Sequence, residues 1–306
     1  MFVLNPDPYS LPSYRIGPFQ TKHVALNNSL PDNNGVVHYL NEKFEGNDYY
    51  FTENGRQAIN IALSYYNLDK NDVVTILTTS GNFYISGCVT KEIEKICQWS
   101  RNILSETKLI FVNHEFGYVY PEMDFLCSLD IPIIEDCCTT FFSQDEKGKI
   151  GKYGDFAVYS FPKFFPVQVG GVLVNNKKNR LNKEPQISEP LLQYIKNVIS
   201  YYVADIKELV GQRISNYDYA ISVYKQLGLN EFFTKSSQEV PSVMMLKNNS
   251  IIKDLNYLKE TLWAHGIQSS IFYGEDAFFF PSHQNLGKGD IHYFADVLNS
   301  LILNRK

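Results

Sequence analysis

Apolar residues along this chain gather in short dense runs, and between the runs they recur every three or four positions. The runs at Val73–Leu77, Leu109–Val112, Pro132–Ile134, Phe156–Phe161 and Val172–Val174 are continuous rather than alternating. That is the pattern of strands covered on both faces. From Gln57 onward Ala58, Ile61, Ala62 and Tyr65 fall at helical spacing, and Lys91–Cys97 is a second such stretch. Strands alternating with helices predict an α/β domain built on a mostly parallel, doubly wound sheet. After Asn176 the pattern changes. A long helix is expected across Leu191–Leu227, with Ile206, Leu209, Val210, Ile214, Tyr217, Ile221 and Tyr224 as one stripe and Gly211 as a candidate bend. A strand near Val243–Leu246, a helix near Ile251–His265 and a terminal helix from Asp290 follow. Residues 1–48 contain Pro6, Pro8, Pro12, Pro18 and Pro31 and read as an irregular arm. Residues 49–180 form the expected large domain, and 181–306 a smaller α+β domain led by the long helix.

Composition narrows the classes. A chain of 306 residues can bury a large core and divide into two domains. Its net charge of −5 argues against nucleic-acid or anionic-membrane partners, which reward a basic surface. The apolar runs are too short to cross a bilayer. Five cysteines, Cys88, Cys97, Cys127, Cys137 and Cys138, include no C-x-x-C. With no basic start leading into an apolar run, the expectation is reduced thiols in a cytoplasmic protein without a signal peptide. The glycines of Gly148-x-x-Gly151-x-x-Gly154 follow a charged loop rather than a strand, so they are no dinucleotide fingerprint. No phosphate-loop motif occurs, and no metal site is expected.

Two residues carry candidate chemistry. Ile131-Pro-Ile-Ile134 runs into Glu135-Asp136, and Phe156–Phe161 runs into Lys163. In an open α/β sheet ligands collect at the carboxyl ends of strands, so an acid and an amine are aimed at one rim. Phe161, Phe164 and Phe165 flank the lysine, and apolar company would favour the neutral amine that a Schiff base needs. A carboxylate is the partner a pyridinium nitrogen needs, so the pair suggests pyridoxal phosphate. A solvated lysine and an ordinary strand-end acid would leave the same trace. The turn Asn54-Gly55-Arg56-Gln57 opens a helix, whose first amides and dipole favour a phosphate.

Longer motifs add to this. Pro132-Ile-Ile-Glu-Asp136-Cys-Cys, Gly148-Lys-Ile-Gly151-Lys-Tyr-Gly154-Asp155, Tyr159-Ser160-Phe161-Pro-Lys163 and Gly170-Gly171 stand in order. The series resembles the DegT/DnrJ/EryC1/StrS family of fold-type-I, pyridoxal-phosphate-dependent sugar aminotransferases. Phe280-Pro281-Ser-His283-Gln284-Asn285-Leu286 is similar to a C-terminal motif of the same family. The resemblance implies that Lys163 holds the cofactor and that Asp136 faces its ring nitrogen. Thr139 stands where the family places the ring-oxygen partner. The amides of Arg56 and Gln57 after Gly55, with the Ser160 hydroxyl, would hold the phosphate, and Phe83 would stack on the ring. His114 matches a strand-end H-x-x-G, more in keeping with a structural histidine. The resemblance further implies a homodimer that moves an amino group, usually from glutamate, to a nucleotide-linked keto sugar in surface-polysaccharide or deoxyamino-sugar synthesis. Departures are Thr139 itself, Val169 before the glycine pair, a shortened stretch between Val89 and Lys108, and no segment matching the family's partner-subunit N-Y-R. These keep a catalytically silent, cofactor-binding homologue open as a second reading. A nucleotide-binding α/β protein with an incidental Lys163 is a third.

Overall fold

The computed structural model describes residues 12–303. In chain order it contains α1 (His23–Ser29), α2 (Gly35–Lys43), β1 (Asp48–Thr52), α3 (Gly55–Tyr65), β2 (Val73–Thr78), α4 (Gly87–Glu94), β3 (Gln98–Ser100), β4 (Thr107–Asn113), α5 (Met123–Cys127), β5 (Ile133–Asp136), β6 (Phe156–Ser160) and β7 (Gly171–Asn175). Then follow α6 (Glu189–Val203), α7 (Ile206–Lys225), β8 (Asn230–Glu231), β9 (Val243–Lys247), α8 (Leu255–Ala264), β10 (Ser270–Ile271), β11 (Ala277–Pro281) and α9 (Lys288–Leu303). Seven strands make one sheet in the order β1-β7-β6-β5-β4-β2-β3. Its five central and edge strands from β6 to β3 run parallel, while β7 and β1 close the other edge antiparallel. The fold is therefore the mostly parallel α/β class expected.

Strand alternation explains the two layers around this sheet. Leu109 and Phe111 of β4 face α3, joining Ala58, Ile61 and Ala62 in one buried cluster. Ile110 and Val112 face the other way, onto Val36 and Leu40 of α2 and Ile195 and Ile199 of α6. Small residues on α3 let the helix sit close to the sheet. A second sheet, β10-β11-β9-β8, is antiparallel and packs on α7, α8 and α9 through Tyr217, Tyr224, Phe278, Phe280, Phe294 and Leu298.

Two expectations need correcting. The arm is not irregular throughout. Pro6 and Pro8 lie outside the described residues, but residues 23–29 and 35–43 are helical, and Val36, Leu40 and Phe44, spaced by four, enter the main core. The long helix is also two helices, broken at Ala204–Asp205 and not at Gly211. Gly211 sits exposed in mid-helix with open space beside it. Its cost of about 1 kcal/mol in helix propensity is overridden by the buried face that follows. Strands β1, β3, β8, β10 and β11 were not anticipated, and two of them are only two residues long.

The two sheets meet at a tight junction. Gly117 has φ +101°, and a Cβ there would lie 2.4 Å from the Val240 carbonyl oxygen and 2.7 Å from Pro241 Cα. The Gly117 carbonyl accepts from Ser143 Oγ, and the Ser242 amide donates to the Phe116 carbonyl beside it. Only glycine combines that conformation with that approach. Gly117→Ala should therefore cost about 2 kcal/mol or more. A urea unfolding midpoint unchanged from wild type would refute this reading of the junction.

Candidate active site

β5 and β6 run parallel, so their ends share one edge of the sheet. Asp136 is the last residue of β5 and Ser160 the last of β6. A single 3-10 turn, Phe161–Lys163, follows directly. The topology thus puts the acid and the amine on one rim. Asp136 is 6% exposed, and its Oδ1 accepts the Cys138 amide at 3.0 Å. Burial raises its carboxyl pKa from the ordinary value, opposed by hydrogen bonds from Cys138 and by the Lys163 charge. Burial also drives the Cys138 thiol well up, against the pull of Lys163.

The apolar enclosure expected for Lys163 is not there. Phe161, Phe164 and Phe165 are fully buried and pack with Phe141, whereas Lys163 is exposed. A 3-10 turn rotates each residue by about 120°, so neighbours in sequence point in different directions. The phenylalanines pin the turn to the core and leave the amine at the surface of the rim.

The phosphate end is partly as expected. Gly55, the first residue of α3, is buried against Cys138 and Ser160, where a Cβ would come within 2.8 Å of Cys138 Sγ. A side chain at this position would have to displace the Cys138 thiol. The Ser160 hydroxyl has no protein partner among the described residues and is free to donate. The Gln57 amide, however, donates to the Asn54 side chain at 3.0 Å, and Gln57 Oε1 accepts the Glu53 amide at 2.8 Å. This capping pair satisfies the donor assigned to an anion from sequence. The amides of Gly55 and Arg56 are the ones left open in the first turn. The Arg56 side chain is exposed.

Thr139 donates its hydroxyl to the His114 carbonyl at 2.7 Å, which fixes the residue next to the acid and leaves its oxygen able to accept. Phe83 is elsewhere. It is 76% exposed and lines an open hollow of about 340 Å³ with Tyr84, Trp99 and Tyr273, a hollow that includes none of Asp136, Ser160 or Lys163. Its loop is well held, since Ser80 donates from its amide and hydroxyl to Glu115 Oε2, Arg101 Nη2 donates to the Asn82 carbonyl, and Asn82 Nδ2 donates to the Tyr273 carbonyl.

Glu135 was the residue sequence reasoning passed over. It is fully buried on the face of β5 opposite Asp136. Its Oε1 accepts the amides of Tyr153 and Gly154, and its Oε2 accepts the amide of Gly151, each at 2.8 Å. His114 Nε2 lies 3.2 Å from the same Oε2, while its Nδ1 accepts the Tyr120 amide. The histidine is thus a structural link carrying its proton on Nε2. His114, Glu135 and Cys137 bring ligand atoms within 4.8 Å of one another. The carboxylate oxygens and Nδ1 are already engaged, so the group holds protein together rather than a cation. The pairing of Glu135 with three glycine-loop amides was signalled in the sequence only by the closeness of Gly151 and Gly154 to the acidic pair.

Comparison with known proteins accords with this layout. Residues 95–189, which hold β5, β6, Asp136, Ser160 and Lys163, match the family model for DegT/DnrJ/EryC1/StrS aminotransferases. The sequence matches none of the curated proteins it was compared with. Among solved structures, the pyridoxal-phosphate form of Spr1654 from Streptococcus pneumoniae, a protein assigned as a sugar aminotransferase, is 13% identical with a TM-score of 0.76, covering 97% of this chain and 100% of that one. The sugar aminotransferase CalS13 from Micromonospora echinospora is 14% identical with a TM-score of 0.68, over 97% and 100% of the two chains. 3-Amino-5-hydroxybenzoic acid synthase is 11% identical with a TM-score of 0.69, again over 97% and 100%. At such identities the likeness establishes a shared fold. Within it, the family segment is the part that carries the acid and the amine.

The two neighbouring acids differ enough to be told apart by stability. Glu135 is saturated with donors, so Glu135→Gln leaves buried N–H groups facing an NH2 and should cost about 3 kcal/mol. Asp136 is short of donors. Its folded pKa lies above the unfolded one, so its contribution is favourable below the ordinary carboxylate range and is lost as pH rises through the raised value. At neutral pH Asp136→Asn should therefore stabilise the cofactor-free protein, and the gain should vanish in acid. Thermal unfolding of both variants at pH 4 and pH 7 checks the pair, and equal shifts for the two would sink the argument.

Proposed function

We propose that this protein is a pyridoxal-phosphate-dependent aminotransferase that moves an amino group from an amino acid, by the family resemblance glutamate, to a keto sugar. A nucleotide-linked sugar in surface-polysaccharide or deoxyamino-sugar synthesis is the acceptor class the family resemblance favours. The observation that carries the reading is the placement of Asp136 and Lys163 at the ends of two neighbouring parallel strands, on one rim beside an open hydroxyl and a helix start. The donor set suits the cofactor. Asp136 is a buried acid short of hydrogen-bond donors, the environment a protonated ring nitrogen would complete. Ser160 and the first amides of α3 suit a phosphate. Bound there, pyridoxal phosphate would supply an electron-accepting ring that stores the amino group between two half-reactions.

The chain's own groups would do the rest. Asp136 would keep the ring nitrogen protonated. The Lys163 amine, free at the rim once released, would take a proton from the donor Cα and return one on the path to product. Its exposure leaves room for that exchange of roles. Thr139 would hold its oxygen toward the ring's phenolic group while its own proton stays on the His114 carbonyl. In a homodimer, as the family resemblance implies, the second subunit would cover the exposed lysine turn.

The tighter capping of Gln57 and the outward position of Phe83 favour a second reading, a cofactor-binding homologue without turnover. An absorbance spectrum with added pyridoxal phosphate, followed by glutamate, separates the two. A yellow band bleached by glutamate, with borohydride fixing the label on Lys163, supports the aminotransferase. A band that glutamate leaves alone supports the silent homologue, and no label at Lys163 refutes both. Lys163→Arg should lower turnover by more than about a thousandfold. Sedimentation should return a dimer, and a monomer at all concentrations would rule out the covered rim.

A further inference from the structure

Arg213 of α7 is 0% exposed, yet no carboxylate lies within ion-pair distance among the described residues. Every acceptor it meets is neutral. Nε donates to the Pro241 carbonyl at 3.1 Å, Nη1 to Gln284 Oε1 at 3.0 Å, and Nη2 to the carbonyls of Ser242 and Lys163 at 3.2 and 3.3 Å. Its carbon centre stands 4.7 Å from the Phe164 ring centroid. Gln284, which receives one of those bonds, donates its own Nε2 to the Phe164 carbonyl at 2.9 Å. The two successive carbonyls of the lysine turn are thus held by an arginine and a glutamine from the C-terminal part of the chain.

Stability alone is a poor reason for this arrangement. A buried charge loses its hydration, and an apolar residue of similar volume is often neutral or better. Burial also lowers the Arg213 pKa, which marks the same cost. What the planar fork does provide is direction, since it reaches several acceptors at fixed angles. One of those acceptors is the carbonyl of the residue that bears the amine.

We propose that Arg213, with Gln284 as its relay, is a positioning residue for Lys163. The pair sets where the amine stands on the rim, so the site is completed only when the C-terminal sheet and α7 are docked on the main sheet. This rests on Lys163 being the working amine, as proposed above.

The test uses cofactor-free and loaded protein in parallel. Reductive methylation with ¹³C-formaldehyde gives each lysine a separate NMR resonance, and Lys163→Gln identifies the one sought. Arg213→Met should stay folded while moving or broadening the Lys163 resonance and leaving the other lysines in place. Trapping of pyridoxal phosphate on Lys163 by borohydride should slow by about ten- to a hundredfold, the range expected for a misplacement near 1 Å. Arg213→Lys, which keeps the charge and loses the fork, should recover part of it. Turnover should fall in kcat with little change in KM for the amino donor. If Arg213→Met does not fold, Gln284→Leu at a partly exposed site is read in the same way. A Lys163 resonance and trapping rate unchanged in a folded variant would overturn the proposal. If wild-type protein takes no label at Lys163 but its resonance still follows Arg213, the positioning stands and the cofactor reading falls.

Discussion

A carboxylate in the middle of a sheet, out of reach of water, must find donors within the protein or destabilise it. Glu135 finds three backbone amides in the loop 151–154 and a histidine nitrogen. Much of the rim depends on this. The loop cannot drift without freeing its amides, and His114 cannot turn without losing both Glu135 and the Tyr120 amide. The His114 carbonyl in turn holds Thr139 beside the acid. Because side chains alternate along a strand, Asp136 is forced to the other face of β5. One acid therefore anchors, and the next is left with an unmet need for a partner.

That division explains why the fold was easier to read than the site. Strands covered on both faces are apolar on both, so the parallel β2, β4, β5 and β6 and the antiparallel β7 stood out as runs. The helix α2 was also written in the chain, as Val36, Leu40 and Phe44 at intervals of four. Prolines and asparagines around it masked the period. The helix α1 buries only His23 and Asn27, so no apolar stripe marks it. The paired acid and amine were legible because strand ends share an edge. The surroundings of Lys163 were not, because adjacency in sequence says nothing about direction around a 3-10 turn. Asn54 and Gln57 illustrate a different limit. One set of residues suits a helix cap and an anion site equally, and only coordinates show which job the amides have taken.

Arg213 could have been noticed on spacing alone. It is in phase with Tyr217, Ala220, Ile221 and Tyr224, the buried face of α7. A charged residue at such a position calls for an explanation. The explanation, however, lies in carbonyls from three distant stretches, which no local pattern encodes.

The lysine turn combines opposite properties within a few residues. Phe161, Phe164 and Phe165 are locked among aromatic neighbours, and the carbonyls of 163 and 164 are tied to α7 and to the segment after β11. The Lys163 side chain leaves this frame into open space. An amine that must first hold a group and then act on it as a proton carrier needs reach, so its side chain should be loosely enclosed. It also needs to return to the same place, so its backbone should be immobile. A turn buried on all sides except one side chain meets both requirements, and a lysine sunk in an apolar pocket would meet only the second.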